Sequence, residues 1–299
     1  MKEYVLNDLN FKSIGKEYVL VIGNFDGVHL GHQKLIEIAK LSRLKIAILT
    51  FNPHPMTLIK DIKDVKYITP YEEKKKIFEN LGVDLFLTVN FNQKVMRTNK
   101  EEFITFLKKL NFKEIVCGYD FTFAYMGQGN ANDLKKCFTT HVIDKYSIDG
   151  VRVSSTNIRE YLQKGNIEDA NKMLGRSYSI SGKVIHGNKV GRTLGFKTAN
   201  IDYNDYILPK NGVYLCEIDY KKRKLFGMAN IGYNPTINSQ DSIRLEVNIF
   251  NFDEEIYGDT LKVSFIKNVR EEKKFSSKAE LIEELNNNKE FGMKFFKLK

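Results

Sequence analysis

The first half of the chain alternates apolar runs of strand length with amphipathic stretches of helix length. The strand candidates are continuously apolar and lie at 18–25, 45–51, 84–90, 114–120 and 141–147. The helix candidates lie at 31–42, 70–82, 100–110 and 154–165. A continuously apolar strand must be covered on both faces, and helices between successive strands favour a parallel sheet. The pattern therefore predicts a doubly wound α/β domain that binds ligands at the carboxyl ends of its strands.

The pattern changes after residues 166–178. From there on, short strand-like runs are separated by Gly and Asn turns, and a single helix candidate remains at 276–288. Such regular short strands predict a small antiparallel β-barrel followed by a C-terminal helix. We place the boundary near Gly175–Ser177, which gives predicted domains of 1–175 and 176–299.

Composition removes several classes of protein from consideration. The net charge is +10, but the basic residues are spread out and have acids beside them, so nucleic acid is not the expected partner and an anionic small ligand fits better. No apolar run reaches the roughly 18 residues of a membrane span, and the N-terminus lacks a signal-peptide block, so we expect a cytoplasmic protein without a membrane partner. Three widely spaced cysteines predict free thiols rather than disulfides or zinc. The sequence does not indicate the oligomeric state.

The densest motif, GNFDGVHLGH (Gly23–His32), directly follows the first apolar run. His29 and His32 are three residues apart at the start of a helix candidate, so their side chains can point to one side. Glycines allow a close backbone approach, and the helix N-terminus adds unpaired N–H groups. The motif predicts a phosphate site. Zinc is the alternative, although neither a third ligand nor i,i+4 spacing is evident.

A second motif, SSTNIR (Ser154–Arg159), opens the last helix candidate of the first half. Ser155 and Thr156 can simply cap that helix. Alternatively, their hydroxyls and the guanidinium of Arg159 hold a phosphate.

The run from Gly182 to Ile201 carries glycines at 182, 187, 191 and 195. They are either turn glycines or part of a loop that cradles phosphate. Thr198 and Asn200 are two residues apart, so in an extended segment they share a face. Their neutral oxygens are a plausible partial shell for Mg²⁺.

A strand candidate further on alternates in polarity: Leu245, Val247 and Ile249 are separated by Glu246 and Asn248. On the pattern alone, the two polar residues either face solvent or belong to a site.

These motifs together resemble a known family. GNFDGVHLGH, VSSTNIR, FNPHP (51–55) and CGYDFTF (117–123) resemble the adenylyltransferase half of bacterial bifunctional riboflavin kinase/FAD synthetases, within the HxGH nucleotidyltransferase superfamily. GRTLGFKTAN (191–200), with NGVYLCEI, NIGYNPT and LEVNIFNF, resembles their riboflavin kinase half. The resemblance implies an enzyme that phosphorylates riboflavin to FMN and adenylylates FMN to FAD, with ATP as co-substrate and Mg²⁺ as cofactor.

For the adenylyltransferase, the resemblance implies catalytic roles for His29, His32 and Arg159. It also implies two sets of binding residues. Those for ATP phosphates are Gly23, Asn24, Phe25, Gly31, Ser155 and Thr156. Those for the flavin are Asn52, Pro53, His54, Pro55 and Asp120.

For the kinase, the resemblance implies that Glu246 is the general base, that Thr198 and Asn200 hold Mg²⁺, and that Arg270 lies near the flavin. The residues implied to bind ATP are Gly182, Lys183, Gly187, Gly191, Arg192, Thr198 and Asn200.

The sequence departs from the family pattern at several positions. In the first half, Asn52 stands where an aspartate is common, Ala124 where a glycine is expected and Gly127 where an arginine is frequent. In the second half, Lys197 replaces a proline and Asn248 replaces a common histidine. Two alternatives therefore stay open: an enzyme with one active half, namely the adenylyltransferase, and a non-catalytic flavin-binding regulatory protein.

Overall fold

A computed structural model describes residues 1–11, 13–59, 61–62, 64–187, 195–233 and 243–298. The chain divides into two compact units, Met1–Ser155 and Thr156–Lys299. This division lies upstream of the domain boundary that we predict near Gly175–Ser177. The helices between the two positions group with the second unit, and the functional boundary stays a prediction.

The elements of the first unit are given in chain order. They are β1 (Lys2–Leu6), β2 (Tyr18–Ile22), α1 (Leu30–Leu41), β3 (Lys45–Asn52), α2 (Met56–Ile59), α3 (Tyr71–Asn80), β4 (Leu85–Asn90), α4 (Gln93–Met96), α5 (Lys100–Leu110), β5 (Glu114–Gly118), β6 (Thr122–Phe123), a 3-10 turn (Tyr125–Gly127), β7 (Gly129–Asn130), α6 (Ala131–Lys135), β8 (Thr140–Ile143), β9 (Ser147–Ile148) and β10 (Val151–Arg152).

Six of these strands form a parallel sheet in the order β1–β4–β3–β2–β5–β8. On β2, Val19 and Val21 pack into one hydrophobic cluster, with residues of α1 and α3. Leu20 and Ile22 pack into a second cluster, with residues of α5 and α6. Since successive side chains of a strand point to opposite faces, the sheet is covered on both sides. The predicted doubly wound fold is confirmed.

The sheet order places a topological switch point beside β2. From β2 the chain proceeds to β3 on one side, and it later returns to β5 on the other side. The parallel strands β2, β3 and β5 end at Ile22, Asn52 and Gly118, respectively. The segments that follow them therefore share one edge of the sheet, where a ligand site is expected.

The second unit begins with two helices and continues as a barrel. Its elements are α7 (Ser155–Lys164, which starts on the last residue of the first unit), α8 (Ile167–Leu174), β11 (Tyr178–Ile185), β12 (Ala199–Ile201), β13 (Gly212–Tyr220), β14 (Arg223–Tyr233), β15 (Ile243–Ile249), β16 (Thr260–Glu271) and α9 (Lys278–Phe295).

Strands β11–β12–β15–β14–β13–β16 form a closed barrel, and all their pairings are antiparallel. The predicted barrel and C-terminal helix are confirmed. The helix continues past the predicted end at residue 288, because Gly292 packs closely against the ring of Phe250 and against Leu215. This tertiary packing extends the helix through asparagines of modest helix propensity. No helix of the described residues is long and apolar enough to span a membrane.

Gly182 provides a test of barrel packing. It lies inside β11, opposite Leu261, and a Cβ at this position would overlap the carbonyl oxygen of Asp202. We expect Gly182→Ala to lower the free energy of unfolding of the barrel by about 1–3 kcal/mol, because backbone rather than a flexible side chain must move. Urea denaturation followed by circular dichroism measures the change. Ser181→Ala, on the opposite face of the same strand, is the control; equal stability of the two variants would contradict the packing.

Candidate nucleotide and flavin sites

The two histidines of the glycine-rich motif form a stacked pair. His29 is the N-cap residue of α1, and its Nδ1 accepts a hydrogen bond from the backbone N–H of His32 at 3.3 Å. The two rings lie 3.6 Å apart, centroid to centroid, and are nearly parallel. A Cβ at Gly31 would lie only 3.2 Å from the His29 ring, so glycine leaves room for this pair. The structure thus brings together the two side chains that the spacing predicts on one side.

The side chains grouped in the structure bear on whether the histidine pair could belong to a zinc site. Across the described ranges, no group of three or more His, Cys, Asp or Glu side chains could hold a metal ion. The stacked histidines at a helix N-terminus instead fit a phosphate group, because both rings and the backbone donors can face an anion. Their catalytic role stays a prediction.

The turn before α1 is anchored by a residue that we did not single out from the sequence. Asp26 is 3 % exposed, and its carboxylate accepts hydrogen bonds from the N–H groups of Ile68 and Thr69 at 3.1 and 3.2 Å. The carbonyl of Asp26 accepts a hydrogen bond from the Ser155 hydroxyl at 2.8 Å. The sequence signal that could have identified Asp26 is its position within the motif GNFDG. Ser155 is thereby joined to the histidine motif within the first unit.

The other members of the SSTNIR motif lie further along α7. Thr156 and Arg159 belong to the second unit, and their contribution to a phosphate site stays a prediction. Of the remaining phosphate candidates, Gly23 and Asn24 follow β2 directly. Phe25 is buried, and the centroid of its ring lies 5.2 Å from that of the His32 ring in an edge-to-face arrangement.

The FNPHP motif lies at the end of the neighbouring strand. β3 ends at Asn52, and the Asn52–Pro53 peptide bond is cis. The N–H of His54 donates to the Tyr67 hydroxyl at 3.3 Å, while Nδ1 of His54 accepts from the N–H of Met56 at 3.2 Å. These contacts fix the His54 ring beside Pro53 and Pro55, at the sheet edge that carries the histidine pair. Their flavin-binding role stays a prediction.

Asp120 lies at the same edge, two residues beyond β5. Its carboxylate is exposed and forms an ion pair with Arg152. The guanidinium of Arg152 also lies over the ring of Tyr119, 5.2 Å from its centroid. A flavin phosphate or ring at Asp120 would therefore meet a paired carboxylate and Arg152, which lies outside the sequence motifs.

In the barrel, adjacent strands bring three of the predicted kinase residues together. Asn200 on β12 is paired with Glu246 on β15, and Thr198 directly precedes β12. Asn200 is 9 % exposed and Glu246 is partly buried. Burial raises the pKa of Glu246 above its usual value, and the charge of Arg244 opposes this. Of the two interpretations left open for Glu246, partial burial favours a site over a solvent-facing position.

The two positions that depart from the kinase pattern contact each other. The side-chain amide of Asn248 donates to the carbonyl oxygen of Lys197 at 2.7 Å. The Lys197 ammonium forms an ion pair with Asp253. The segment that carries Thr198 is therefore held from both sides.

The remaining ATP candidates of the kinase are placed less directly. Gly182 and Lys183 lie within β11, where Gly182 has a packing requirement of its own, and Gly187 lies against the Asn200 side chain. Gly191 and Arg192 lie outside the described residues, as does the NPT part of the NIGYNPT motif. ATP binding by these residues stays a prediction.

Arg270 lies on β16 opposite Val213, facing the C-terminal helix. Its Nε is 3.0 Å from a carboxylate oxygen of Glu284 on α9, and its guanidinium lies 5.7 Å from the centroid of the Phe275 ring. Burial lowers the pKa of Arg270, and Glu284 opposes the shift. The predicted flavin contact of Arg270 is not tested by this geometry and stays a prediction.

The structure defines a class of protein with two units: a doubly wound α/β unit that carries a candidate phosphate site, and a β-barrel on which Glu246 and Asn200 are paired near Thr198. Residues 11–157 match the family model for FAD synthetase, and residues 174–296 match the model for riboflavin kinase. The bifunctional riboflavin kinase/FMN adenylyltransferase of Listeria monocytogenes is 39% identical over 93% of this chain and 92% of its own length. That of Bacillus subtilis is 38% identical with the same coverage.

A solved structure from Streptococcus pneumoniae, described as a macrolide-efflux protein, has a TM-score of 0.89 and 30% identity over 97% of this chain and 98% of its own. From the curated relatives, this chain belongs to the family of bifunctional riboflavin kinase/FMN adenylyltransferases. The predicted membership, and the prediction of an enzyme that combines both catalytic domains, are confirmed.

The contact between Asn248 and Lys197 leads to a prediction. Asn248→Ala removes the hydrogen bond that holds the segment before Thr198, so we expect FMN formation from riboflavin to fall about fivefold to tenfold. FAD formation from added FMN should be unchanged. Steady-state assays with chromatographic separation of the flavins measure both rates. Lys262→Ala, an exposed change on the same barrel, is the control, and an Asn248 variant with unaltered FMN formation would contradict the prediction.

Proposed function

We propose that this chain makes FAD from riboflavin in two ATP-dependent steps, each at its own site. The observation that carries the proposal is the separation of two intact constellations: the stacked His29–His32 pair on the α/β unit, and Glu246 beside Asn200 on the barrel. Both units match their respective family models.

The first step is phosphoryl transfer on the barrel. The 5′-hydroxyl of riboflavin gives its proton to the Glu246 carboxylate, its oxygen bonds to the γ-phosphorus of ATP, and the bond to ADP breaks. A carboxylate is a stronger base when burial raises its pKa, as it does for Glu246. Arg270 is proposed to contact the flavin, while Gly182, Lys183, Gly187, Gly191 and Arg192 are proposed to line the ATP site.

The residues near Glu246 fit Mg²⁺ as the proposed cofactor. Thr198 and Asn200 offer neutral oxygens, and Asn200 is buried next to the proposed base. Mg²⁺ commonly keeps waters and phosphate oxygens among its ligands, so two protein oxygens suffice. When bound, the ion would neutralise charge that develops on the ATP phosphates; Thr198 and Asn200 would fix its place on the barrel.

The second step is adenylyl transfer on the α/β unit. A phosphate oxygen of FMN bonds to the α-phosphorus of ATP, and the bond to pyrophosphate breaks, without a covalent enzyme intermediate. Catalysis is then positioning and stabilisation of charge. His29 and His32 contact the phosphates at the N-terminus of α1. The proposed supporting residues are Gly23, Asn24, Phe25, Gly31, Ser155, Thr156 and Arg159.

The flavin of the second step is proposed to lie along the sheet edge formed by the ends of β3 and β5. There the 52–55 segment carries the fixed His54 ring, and Asp120 follows β5. Riboflavin, FMN and ATP are thus the proposed partners. We place the reaction in the cytoplasm because ATP is the co-substrate of both steps.

Single substitutions should separate the two activities. We expect His32→Ala to lower FAD formation from FMN at least about 100-fold, since a phosphate contact in the transition state is lost, while FMN formation is retained. Glu246→Ala should have the reverse effect. Purified variants are supplied with riboflavin or FMN, ATP and Mg²⁺, and the flavins are resolved by chromatography. If a folded variant lost both activities, the two sites would not be independent; if the wild type made neither product, the proposed function would be wrong.

The pH dependence of the kinase follows from Glu246. Burial raises its pKa above 4.5, and only the ionised carboxylate accepts a proton, so FMN formation should fall as the pH drops through a value above 4.5. The pH profile of kcat/KM for riboflavin measures this acid limb. FAD formation from FMN, which does not use Glu246, should lack the same limb and is the internal control. An acid limb shared by both reactions would assign it to another group.

A further inference from the structure

A lysine ammonium is buried beneath the turn that follows β2. Lys74, in the first turn of α3, is 4 % exposed and shares its helix face with the buried Phe78. Lysine is almost never fully buried without a partner, because removing its charge from water is costly. The charged run around Lys74 in the sequence gives no sign of this placement.

The Lys74 ammonium contacts the backbone of the phosphate motif. Its Nζ donates to the carbonyl oxygen of Asn24 at 2.9 Å, and the same oxygen accepts from the hydroxyl of the fully buried Thr50 at 3.3 Å. The field of the Asp26 carboxylate favours the charged amine. The Asn24 carbonyl is therefore directed into the unit by two donors.

The direction of this carbonyl determines the direction of the next N–H group. In a trans peptide unit, the C=O and the following N–H point in opposite directions. With the Asn24 carbonyl turned towards Lys74, the Phe25 N–H points away from α3. Phe25 is 1 % exposed and has φ of 56°, a conformation that costs energy for a bulky residue. Within the described part of the chain, no acceptor meets its N–H.

We propose that Lys74 is a positioning residue for adenylyl transfer, which holds the Asn24–Phe25 peptide so that the Phe25 N–H donates to a phosphate oxygen of ATP. A buried, strained backbone donor needs a partner, and the adjacent histidine pair marks where the phosphates lie. The inference rests on the proposed adenylyl transfer and adds a role for a residue outside the sequence motifs.

The stability of the protein separates this role from a purely structural one. Burial lowers the pKa of Lys74 from 10.5 to about 8, with Asp26 opposing the shift. Because the folded value is below the ordinary one, the unfolded chain holds this proton more tightly, and the buried charge weakens folding at pH 7. This penalty is relieved as the pH rises through about 8. Replacing this buried charge with an apolar side chain of similar length is therefore not expected to lower stability at neutral pH.

The test compares Lys74→Met with Lys76→Met, an exposed change on the same helix. Methionine has a similar length but no N–H donor. We expect Lys74→Met to raise the KM for ATP in FAD formation about tenfold, the value of one charge-assisted hydrogen bond, with unchanged FMN formation and an equal or higher melting temperature. Lys76→Met should change none of these. A KM within about twofold of wild type, or a lower melting temperature without a KM change, would overturn the proposal.

The wild-type protein provides a second test that needs no variant. An uncharged amine donates a weaker hydrogen bond than an ammonium, so the KM for ATP in FAD formation should rise between pH of about 7 and about 9.5, and this rise should be absent in Lys74→Met. The KM for ATP in FMN formation is the control for changes in ATP itself. A flat wild-type profile for FAD formation would overturn the proposal, even if the variant failed to fold.

Other charged groups lie near Lys74 or on the same helix, where the N-terminal ammonium of Met1 pairs with Glu79. Asp26 faces Lys74 from the turn. On the outer side of α3, the Tyr71 hydroxyl donates to Glu3 of β1, which also pairs with Lys75. Burial raises the pKa of Tyr71 to about 12, and the Tyr71 hydrogen bond lowers that of Glu3. A change in KM near pH 8 that is absent in Lys74→Met would therefore report Lys74. FAD production by the wild type tests the function itself, separately from Lys74.

Discussion

Burial of β2 on both faces is the constraint on which the first unit depends. All five residues of the strand are buried, so the chain leaves it inside the protein, and each backbone polar group of the following turn needs a partner. The Asn24 carbonyl is satisfied by Thr50 and Lys74, and the Asp26 carboxylate by backbone N–H groups before α3. These interactions fix the turn, and the turn fixes the N-terminus of α1. The stacking of His29 on His32 is a consequence of this order.

In the barrel, the register between strands positions the candidate kinase residues, as burial of β2 positions the histidine motif in the first unit. On β15 the apolar residues alternate with Glu246 and Asn248, so a slip of one residue would send both polar side chains to the other face. Pairing with β12 sets Glu246 opposite Asn200. The proposed base and Asn200 are therefore positioned by hydrogen bonding between strands. Thr198 precedes β12, in the segment that the Asn248 amide and the Lys197–Asp253 ion pair hold.

The sequence was sufficient where periodicity and burial agree. The central strands, the helices α1, α3 and α5, and the change to a barrel could all be predicted, because apolar runs and helical faces are long there. β1 was missed because it is an edge strand with four of its five residues exposed. The short hairpins had too few residues for a period. In one of them, Ala124 has φ of 66° and ψ of −178°, which explains why a glycine is expected there.

The sites divide in the same way. Residues in dense motifs could be singled out, because the members of each motif are close in sequence: His29 with His32, and Thr198 with Asn200. Lys74 could not be singled out from the sequence, because its proposed role depends on a contact with the backbone oxygen of Asn24, 50 positions away. Every residue has a backbone carbonyl, so the residue types do not indicate such a contact. Asp26 accepts hydrogen bonds from the backbone N–H groups of Ile68 and Thr69, and Arg152 forms an ion pair with Asp120. Neither contact could be predicted from the sequence, because the partners are distant along the chain.

The two kinase positions that depart from the family pattern are in direct contact. A proline at 197 would fix φ without help from any other residue. Lys197 lacks that restriction, and the chain supplies it from outside, through the Asn248 amide on its carbonyl and the Asp253 carboxylate on its ammonium. A histidine at 248 could not reproduce the amide contact with the same geometry, since its ring donors lie in a different place. We therefore expect the two positions to vary together among relatives, since both hold the segment that carries Thr198.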